Sequence, residues 1–321
     1  MTTLKELSHR EERFTGGHRL CAGCGAAIVA RQVLLAADGP VVIGNATGCL
    51  EVATTLYPYT SWKVPWIHNA FENVAATISG VETAYRVFKD QGKLDRDFRF
   101  VAFGGDGGTY DIGIQALSGA LERGHKMLYV CYDNQAYMNT GIQRSGSTPK
   151  GASTTTAPAG KVARGKLERR KDLTGIVAAH HIPYAAQAAP HNFMDLIRKV
   201  EKALAADGPS FINILAPCHR GWRHPPEDTL KVTRIATNTC FWPLYEIVDG
   251  VWKLTYKPRA KLPVEEWLKF QGRFEHLFKN GGHPELVAEI QADVDRDWND
   301  LLVRCGELPP PECRDEEGKK K

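Results

Sequence analysis

The stretch Phe103-Gly-Gly-Asp-Gly-Gly-Thr-Tyr-Asp-Ile112 stands between a β-prone run, Phe98-Arg-Phe-Val-Ala-Phe103, and a helical pattern over residues 112–123. A strand that ends in glycines and opens a helix lets backbone N–H groups approach a phosphate closely, and the helix N-terminus favours its negative charge. The same unit recurs along the chain. Buried-strand runs at 41–43, 98–103, 127–132 and 211–215 alternate with helical patterns at 26–37, 70–89, 112–123 and 194–206, punctuated by Gly104, Gly124 and Gly208. Such alternation specifies an α/β fold with a doubly wound, mostly parallel sheet, and such sheets bind ligands beyond the C-terminal ends of their strands.

The next strand supplies the partner of the glycine turn. It ends in Tyr132-Asp-Asn-Gln-Ala-Tyr-Met-Asn139, and consecutive parallel strands can set their C-terminal loops side by side. Asp106, Asn134 and the Ala136 carbonyl then offer three oxygens to one Mg2+, a cation that takes oxygen ligands and shares them with a phosphate. A tight turn with a capping aspartate is the plainer reading of the first loop alone, and Asn134 argues against it. Gly-Asp-Gly followed about 25 to 30 residues later by Asn resembles the signature of thiamine-diphosphate enzymes.

Composition sets the outer limits. The 321 residues are 43% hydrophobic and 24% charged, with a net charge of +4, an ordinary globular balance for one large α/β domain or two smaller ones. No basic stripe with interleaved aromatics points to nucleic acid; the densest basic run, Lys166-Leu-Glu-Arg-Arg-Lys171, reads as a solvated loop. The N-terminus lacks the apolar core of a signal peptide and no window is apolar enough for a membrane span, so a cytoplasmic protein is expected. The Gly/Ser/Thr/Pro-rich segment 145–163 is a loop long enough to expect a functional part for it. Residues 1–225 read as the cofactor-binding domain, and 226–321 as an extension packing on the core or a partner. The extension has charged helical stretches at 263–278 and 284–305, with a disordered tail from about residue 308.

Eight cysteines in a reducing compartment suggest metal or redox chemistry more than disulfides. Cys21 and Cys24 lie three positions apart, Cys49 closes Asn45-Ala-Thr-Gly-Cys49, and Cys218 follows the strand run at 211–215. Four thiolates suit a structural zinc or an iron–sulfur cluster, and spacing alone leaves both open. Cys131 reads as core, while Cys240, Cys305 and Cys313 have no partner at motif spacing. Adjacent residues point apart, so His180-His181 reads as packing or surface.

Taken together, Cys21-Ala-Gly-Cys-Gly25, Ala46-Thr-Gly-Cys49, Trp66-Ile-His-Asn-Ala-Phe-Glu-Asn73, Gly104-Gly-Asp-Gly-Gly108, Tyr137-Met-Asn-Thr-Gly-Ile-Gln143 and Pro217-Cys218 resemble the β subunits of pyruvate:ferredoxin oxidoreductases (pyruvate synthases), in the 2-oxoacid:ferredoxin oxidoreductase family. The resemblance runs from Gly16 to about Gly221 and more loosely through Trp267-Leu-Lys-Phe-Gln-Gly-Arg-Phe274. It implies a [4Fe-4S] cluster on Cys21, Cys24, Cys49 and Cys218, displacing zinc. It implies thiamine diphosphate on Thr47, Gly48, Cys49, Gly105, Asp106, Gly107, Gly108, Asn134, Ala136 and Asn139, with Mg2+ on Asp106, Asn134 and the Ala136 carbonyl. Asn139 is then the residue beside the reacting centre. Implied partners are an α subunit (with γ and δ subunits or fused equivalents) and ferredoxin, with pyruvate and coenzyme A as substrates. Related subunits handle 2-oxoisovalerate or oxalate, so the 2-oxoacid stays open. A cluster-free thiamine-diphosphate lyase or synthase, and a zinc-stapled scaffold without activity, are the readings from other classes. Thiamine enzymes use a carboxylate to activate the cofactor; Glu51 and Glu72 are candidates by position, and the resemblance implies that the α subunit supplies it.

Overall fold

A computed structural model describes residues 2–160, 162–279 and 281–310. Among these, one sheet holds eight strands, β1 Val41–Ala46, β2 Trp66–Asn69, β3 Arg99–Gly105, β4 Leu128–Asp133, β5 Tyr184–Ala188, β6 Ser210–Leu215, β7 Leu244–Val248 and β8 Val251–Tyr256. Their order is β2-β1-β3-β4-β6-β5-β7-β8. All pairings from β2 through β5 are parallel, and the β5–β7 and β7–β8 pairings are antiparallel. Strands β4 and β6 are buried at every residue because helices cover both faces. Gly25–Ala36 and Phe193–Ala205 pack together on one face, Val74–Asp90 and Ile114–Glu122 on the other.

The strand order places the ligand crevice. From β1 the chain crosses outward to β2, whereas from β3 it crosses in the opposite direction to β4. Loops leaving β1 and β3 therefore part, and the gap between them is the switch point of an open parallel sheet. Thr47, Gly48 and Cys49 stand on one side of that gap; Gly105 to Gly108 stand on the other.

Several elements differ from the sequence reading. Strands β2, β5, β7 and β8 are additional. Residues 244–256 form an antiparallel hairpin turned by Asp249 and Gly250 at φ 47° and 82°, so part of the segment after residue 225 completes the same sheet. The expected helix at 112–123 is preceded by a wide helical turn, Gly107–Ile112, and runs as Ile114–Glu122. The charged stretch at 263–278 is not one helix. Glu265–Lys269 ends, Gln271 is extended at φ −127° and ψ 122°, and Gly272–Leu277 forms a tighter turn that carries Arg273 inward. The long helix Pro284–Arg304 keeps its proline in the first turn, where no N–H is needed.

The basic run is also corrected. Lys166 is 2% exposed and donates to the Thr148 carbonyl at 2.6 Å, and Lys171 donates to the Tyr110 carbonyl and to Asp111, each at 2.7 Å. Buried loop carbonyls need donors, and these lysines supply them. The expected disordered tail begins where Leu308 still bonds the Leu302 carbonyl; residues 311–321, with Cys313, lie outside the described residues.

Candidate active site

Asp106 is wholly buried at the mouth of β3. Its Oδ2 accepts from the Ser145 hydroxyl, and its Oδ1 accepts from the Asn134 N–H at 3.2 Å. Beside it, Asp133 accepts from Tyr110 at 2.7 Å, from the Gln135 N–H at 3.0 Å and from Ser147 at 2.6 Å. Burial first, and then the negative charge of Asp133, push the Asp106 carboxyl well above the usual carboxylate range. A cation at this place would reverse that direction by favouring the charged form.

One feature bears directly on what the place can hold. The end of the Asn134 amide lies 2.8 Å from Asp106 Oδ1 and 2.8 Å from the Ala136 carbonyl oxygen. With nitrogen there, the amide donates to both. With oxygen there, both 2.8 Å separations are close to the edge of an octahedron whose metal–oxygen bonds are about 2.0–2.1 Å, the bond length of Mg2+. The Trp222 indole N–H holds the Asn134 carbonyl from behind at 2.8 Å.

The glycines are set by close approach, not by unusual backbone angles. A Cβ on Gly107 would stand 2.4 Å from the Tyr137 ring, and one on Gly108 would stand 2.7 Å from the Phe71 carbonyl oxygen. Tyr137 then donates to the Gly107 carbonyl at 2.8 Å, locking the turn against the next loop. The cleft lined by Thr47, Gly48, Cys49, Gly105, Asp106, Gly107, Gly108, Asn134, Ala136 and Asn139 also takes in Phe71, Tyr132, Tyr137 and Met138. Every expected diphosphate-binding residue thus faces one cleft. Asn139 is exposed at its rim, and the Thr47 hydroxyl is engaged with the Asn69 carbonyl at 2.7 Å.

Of the four cysteines, Cys49 lines this cleft, and Cys24 and Cys218 stand at the starts of two helices. Cys24 caps the helix Gly25–Ala36, and Cys218 begins the short helix His219–Trp222, whose Gly221 N–H meets the Cys218 sulfur at 3.4 Å. The Gly25 N–H donates to the Pro217 carbonyl at 3.0 Å, tying the two loops together. A Cβ on Gly221 would stand 2.4 Å from the Met138 sulfur, so the Cys218 turn packs directly on the cleft wall. Burial above all, and then the neighbouring thiols among Cys21, Cys24 and Cys218, push Cys24 up to about 11 and Cys49 to about 12. Cys218 is raised for the same leading reason.

Among the described residues no group of three or more His, Cys, Asp or Glu side chains is drawn tightly enough to hold a single metal ion. By its chemistry alone, a set of four thiols suits zinc or an iron–sulfur centre.

Sequence reasoning missed several residues here. Ser145 and Ser147 open the loop already singled out for its length. Asp133 stood unremarked inside the motif around Asn134, and Tyr110 inside the glycine stretch. Arg273 is 2% exposed, lies 4.1 Å from the Trp222 ring centre, and donates to the Gln135 side chain and to Gln271. Nothing in its local sequence marked it. The other candidates are not among the residues that line the cleft. Glu51 pairs with His68 at 2.9 Å, Glu72 is exposed, and neither lines the cleft. His180 contacts the Ser118 hydroxyl at 2.8 Å, and Cys131 is core.

Comparison with known proteins agrees with this geometry. Residues 43–214 match the family model described as thiamine pyrophosphate enzyme, C-terminal TPP binding domain. Pyruvate synthase subunit PorB of Thermotoga maritima is 55% identical over 304 residues, covering 93% of this chain and 94% of that protein. The PorB subunit of Methanocaldococcus jannaschii is 58% identical, covering 89% and 95%. Ketoisovalerate oxidoreductase subunit VorB of Pyrococcus abyssi is 44% identical, covering 91% and 93%. Among solved structures, 2-oxoglutarate:ferredoxin oxidoreductase from Magnetococcus marinus superposes with a TM-score of 0.53 at 20% identity, over 64% of this chain and 66% of that one, a likeness of fold. The architecture is that of thiamine-diphosphate-binding domains.

Proposed function

We propose a function from this premise: the chain belongs to the family of pyruvate synthase subunits PorB, β subunits of 2-oxoacid:ferredoxin oxidoreductases. It is a subunit of an oxidoreductase that acts with partner subunits. In our reading the assembled enzyme converts pyruvate and coenzyme A to acetyl-CoA and CO2 and passes the released electron pair to ferredoxin. The reverse direction makes pyruvate. The protein works in the cytoplasm, and no helix among the described residues is long and apolar enough to cross a membrane.

The observation that carries this reading is the Asn134 amide end, 2.8 Å from both Asp106 Oδ1 and the Ala136 carbonyl oxygen. These would hold Mg2+, and the backbone of Gly105, Gly107 and Gly108 would receive the diphosphate. Thiamine diphosphate, when bound, supplies the electron sink that a decarboxylation next to a carbonyl requires. The Asn139 amide, exposed at the rim, would donate to the substrate's oxygen. Cys21, Cys24, Cys49 and Cys218 would hold the [4Fe-4S] cluster as the first electron acceptor. Cys49 lines the cleft itself, so the acceptor would begin where the cofactor ends.

The half-open cleft has a cavity volume of only about 20 Å3, far below the roughly 300–1,000 Å3 of complete ligand pockets, and it carries no free carboxylate that could activate the cofactor. A partner α subunit would complete the pocket and supply that glutamate, so the chain alone should not turn over. The decisive assay is coenzyme A-dependent viologen reduction by the anaerobically purified complex across pyruvate, 2-oxoisovalerate and oxalate. Pyruvate should give the highest kcat/KM. A clear preference for 2-oxoisovalerate would favour the second reading, which the 44% identity to VorB motivates. Turnover by the isolated chain would contradict the shared site.

A further inference from the structure

The loop that carries two of the three proposed cation ligands turns on Gln135. This residue is wholly buried and left-handed at φ 66°, an uncommon conformation for a side chain of its size. Three groups hold it. Asp133 accepts from its N–H at 3.0 Å, the Thr148 hydroxyl donates to its carbonyl at 2.7 Å, and the Arg273 guanidinium donates to its side-chain oxygen at 2.5 Å. Its neighbours on either side are Asn134 and Ala136, whose amide end and carbonyl oxygen stand 2.8 Å apart.

Arg273 comes to this loop from 138 positions further along the chain. Its turn is fastened at two places. The Gly272 N–H donates to the Arg223 carbonyl at 3.1 Å, and the Arg273 carbonyl accepts from the Ser153 N–H at 3.0 Å. A Cβ on Gly272 would stand 2.8 Å from the Arg223 Cβ, so the turn lies hard against the residue that follows Trp222. The guanidinium lies 4.1 Å from the Trp222 ring centre, and the Trp222 indole N–H donates to the Asn134 backbone carbonyl at 2.8 Å. One side chain therefore bears on Gln135 directly and on Asn134 through the indole. Its own hydrogen bonds go to the neutral side-chain oxygens of Gln135 and Gln271, while Asp133 and Asp106 favour its charge from further off. A buried charge without a bonded carboxylate is costly to keep, and the geometry it imposes on the turn gives a reason for it.

We propose that Arg273 is a positioning residue for the cation site: it fixes the turn at Gln135 so that the Asn134 amide and the Ala136 carbonyl face one ion at the spacing Mg2+ requires. A residue of the C-terminal segment thereby completes a site otherwise built on the ends of β3 and β4. The inference rests on the Mg2+ reading given under Proposed function.

The test measures binding of thiamine diphosphate to the anaerobic complex by equilibrium dialysis at graded Mg2+ and, separately, at graded Ca2+, with thermal unfolding in parallel. Mg2+ demands a near-ideal octahedron with bonds of about 2.0–2.1 Å, whereas Ca2+ accepts about 2.3–2.6 Å and variable coordination. A misplaced turn is therefore felt more by Mg2+. Arg273→Met should raise the Mg2+ concentration at half-saturation about tenfold or more, the lower end for a residue behind a metal ligand, and the Ca2+ value clearly less. A merely structural role would lower the unfolding midpoint and shift both cations alike or neither, and either result overturns the proposal. If Arg273→Met does not assemble, Gln135→Met, which removes the acceptor at the other end of the bond, decides by the same criterion. Should the wild-type complex bind added thiamine diphosphate equally well after removal of divalent cations, the Mg2+ reading itself fails, and this inference falls with it.

Discussion

The oxygen cradle around Asp106 and the sulfur rim around Cys49 share a wall, yet the chain builds them in opposite ways. In the cradle, both carboxylate oxygens of Asp106 accept hydrogen bonds, Trp222 fixes Asn134 from behind, and Lys166 supports the Ser145–Thr148 loop from below. All of it rests on strand ends in a sheet covered on both faces. The rim stands on a tight turn, two helix starts and a post-strand loop; Cys21 is exposed, and the other three are half-buried. Where it is buried, burial disfavours the thiolate forms that a metal needs. The cradle is organised before its ligand arrives. On the proposed cluster reading, the rim would take its final order, and release its protons, when metal binds.

That contrast gives separable losses, and the largest effects come from the two centres themselves. Asp106→Ala should abolish retention of thiamine diphosphate and lower kcat/KM by more than about 100-fold, since even the outer partners of a metal site are worth 10–100-fold. Iron content should stay at the wild-type level. Cys218→Ser should do the reverse, with iron lost by analysis, thiamine diphosphate retained and viologen reduction at background. If either variant lost both cofactors, the two regions would be one folding unit and the contrast would break.

Smaller effects probe the contact between the regions. Gln135 has a left-handed backbone at φ 66°, and its side-chain oxygen accepts from the buried Arg273. Burial holds the Arg273 guanidinium well below its ordinary range. Gln135→Glu should supply a charge partner at the same hydrogen bond and raise the midpoint of thermal unfolding by about 2 °C, as expected for roughly 1 kcal/mol in a large domain. An unchanged or lower midpoint would mean that desolvating the new carboxylate offsets the pairing.

The smallest effect is a pH slope in the cradle's support. Burial pushes Lys166 down to about 8. The folded protein therefore binds fewer protons there than the unfolded chain between about pH 8 and the ordinary lysine value of 10.5. Its contribution to stability is complete above that window and is lost as the pH falls through about 8. Denaturant midpoints of wild type and Lys166→Met across this window should show a rising limb in the former that is flatter in the latter.

Much of this was legible in the residues. Asp106 and Asn134 follow the buried strands β3 and β4, whose apolar runs are plain, and parallel order brings their loops together without further information. Cys218 was legible for the same reason, at the end of β6. The hairpin β7–β8 was marked by Asp249-Gly250, a turn signal that was passed over because residues 226–321 were read as a separate extension. Strand β5, Tyr-Ala-Ala-Gln-Ala, carries too little β-branched character to announce itself. Arg273 and the inward turn of Lys166 lay beyond sequence reading because composition records a charge but not the buried carbonyl or amide that receives it. Ser145 reaches Asp106 across 39 positions, a contact that only the closed fold reveals.

The account depends most on a cluster and a cofactor held at the two sides of Cys49 in this one chain. The most direct measurement mixes the anaerobic complex with pyruvate, without coenzyme A or an external acceptor, and follows the reduced-cluster signal by freeze-quench electron paramagnetic resonance. The account predicts a signal that appears at least as fast as turnover in the wild type and is missing in Cys49→Ser, although that variant still holds thiamine diphosphate. An identical signal from Cys49→Ser would place the first electron acceptor elsewhere in the complex and contradict it.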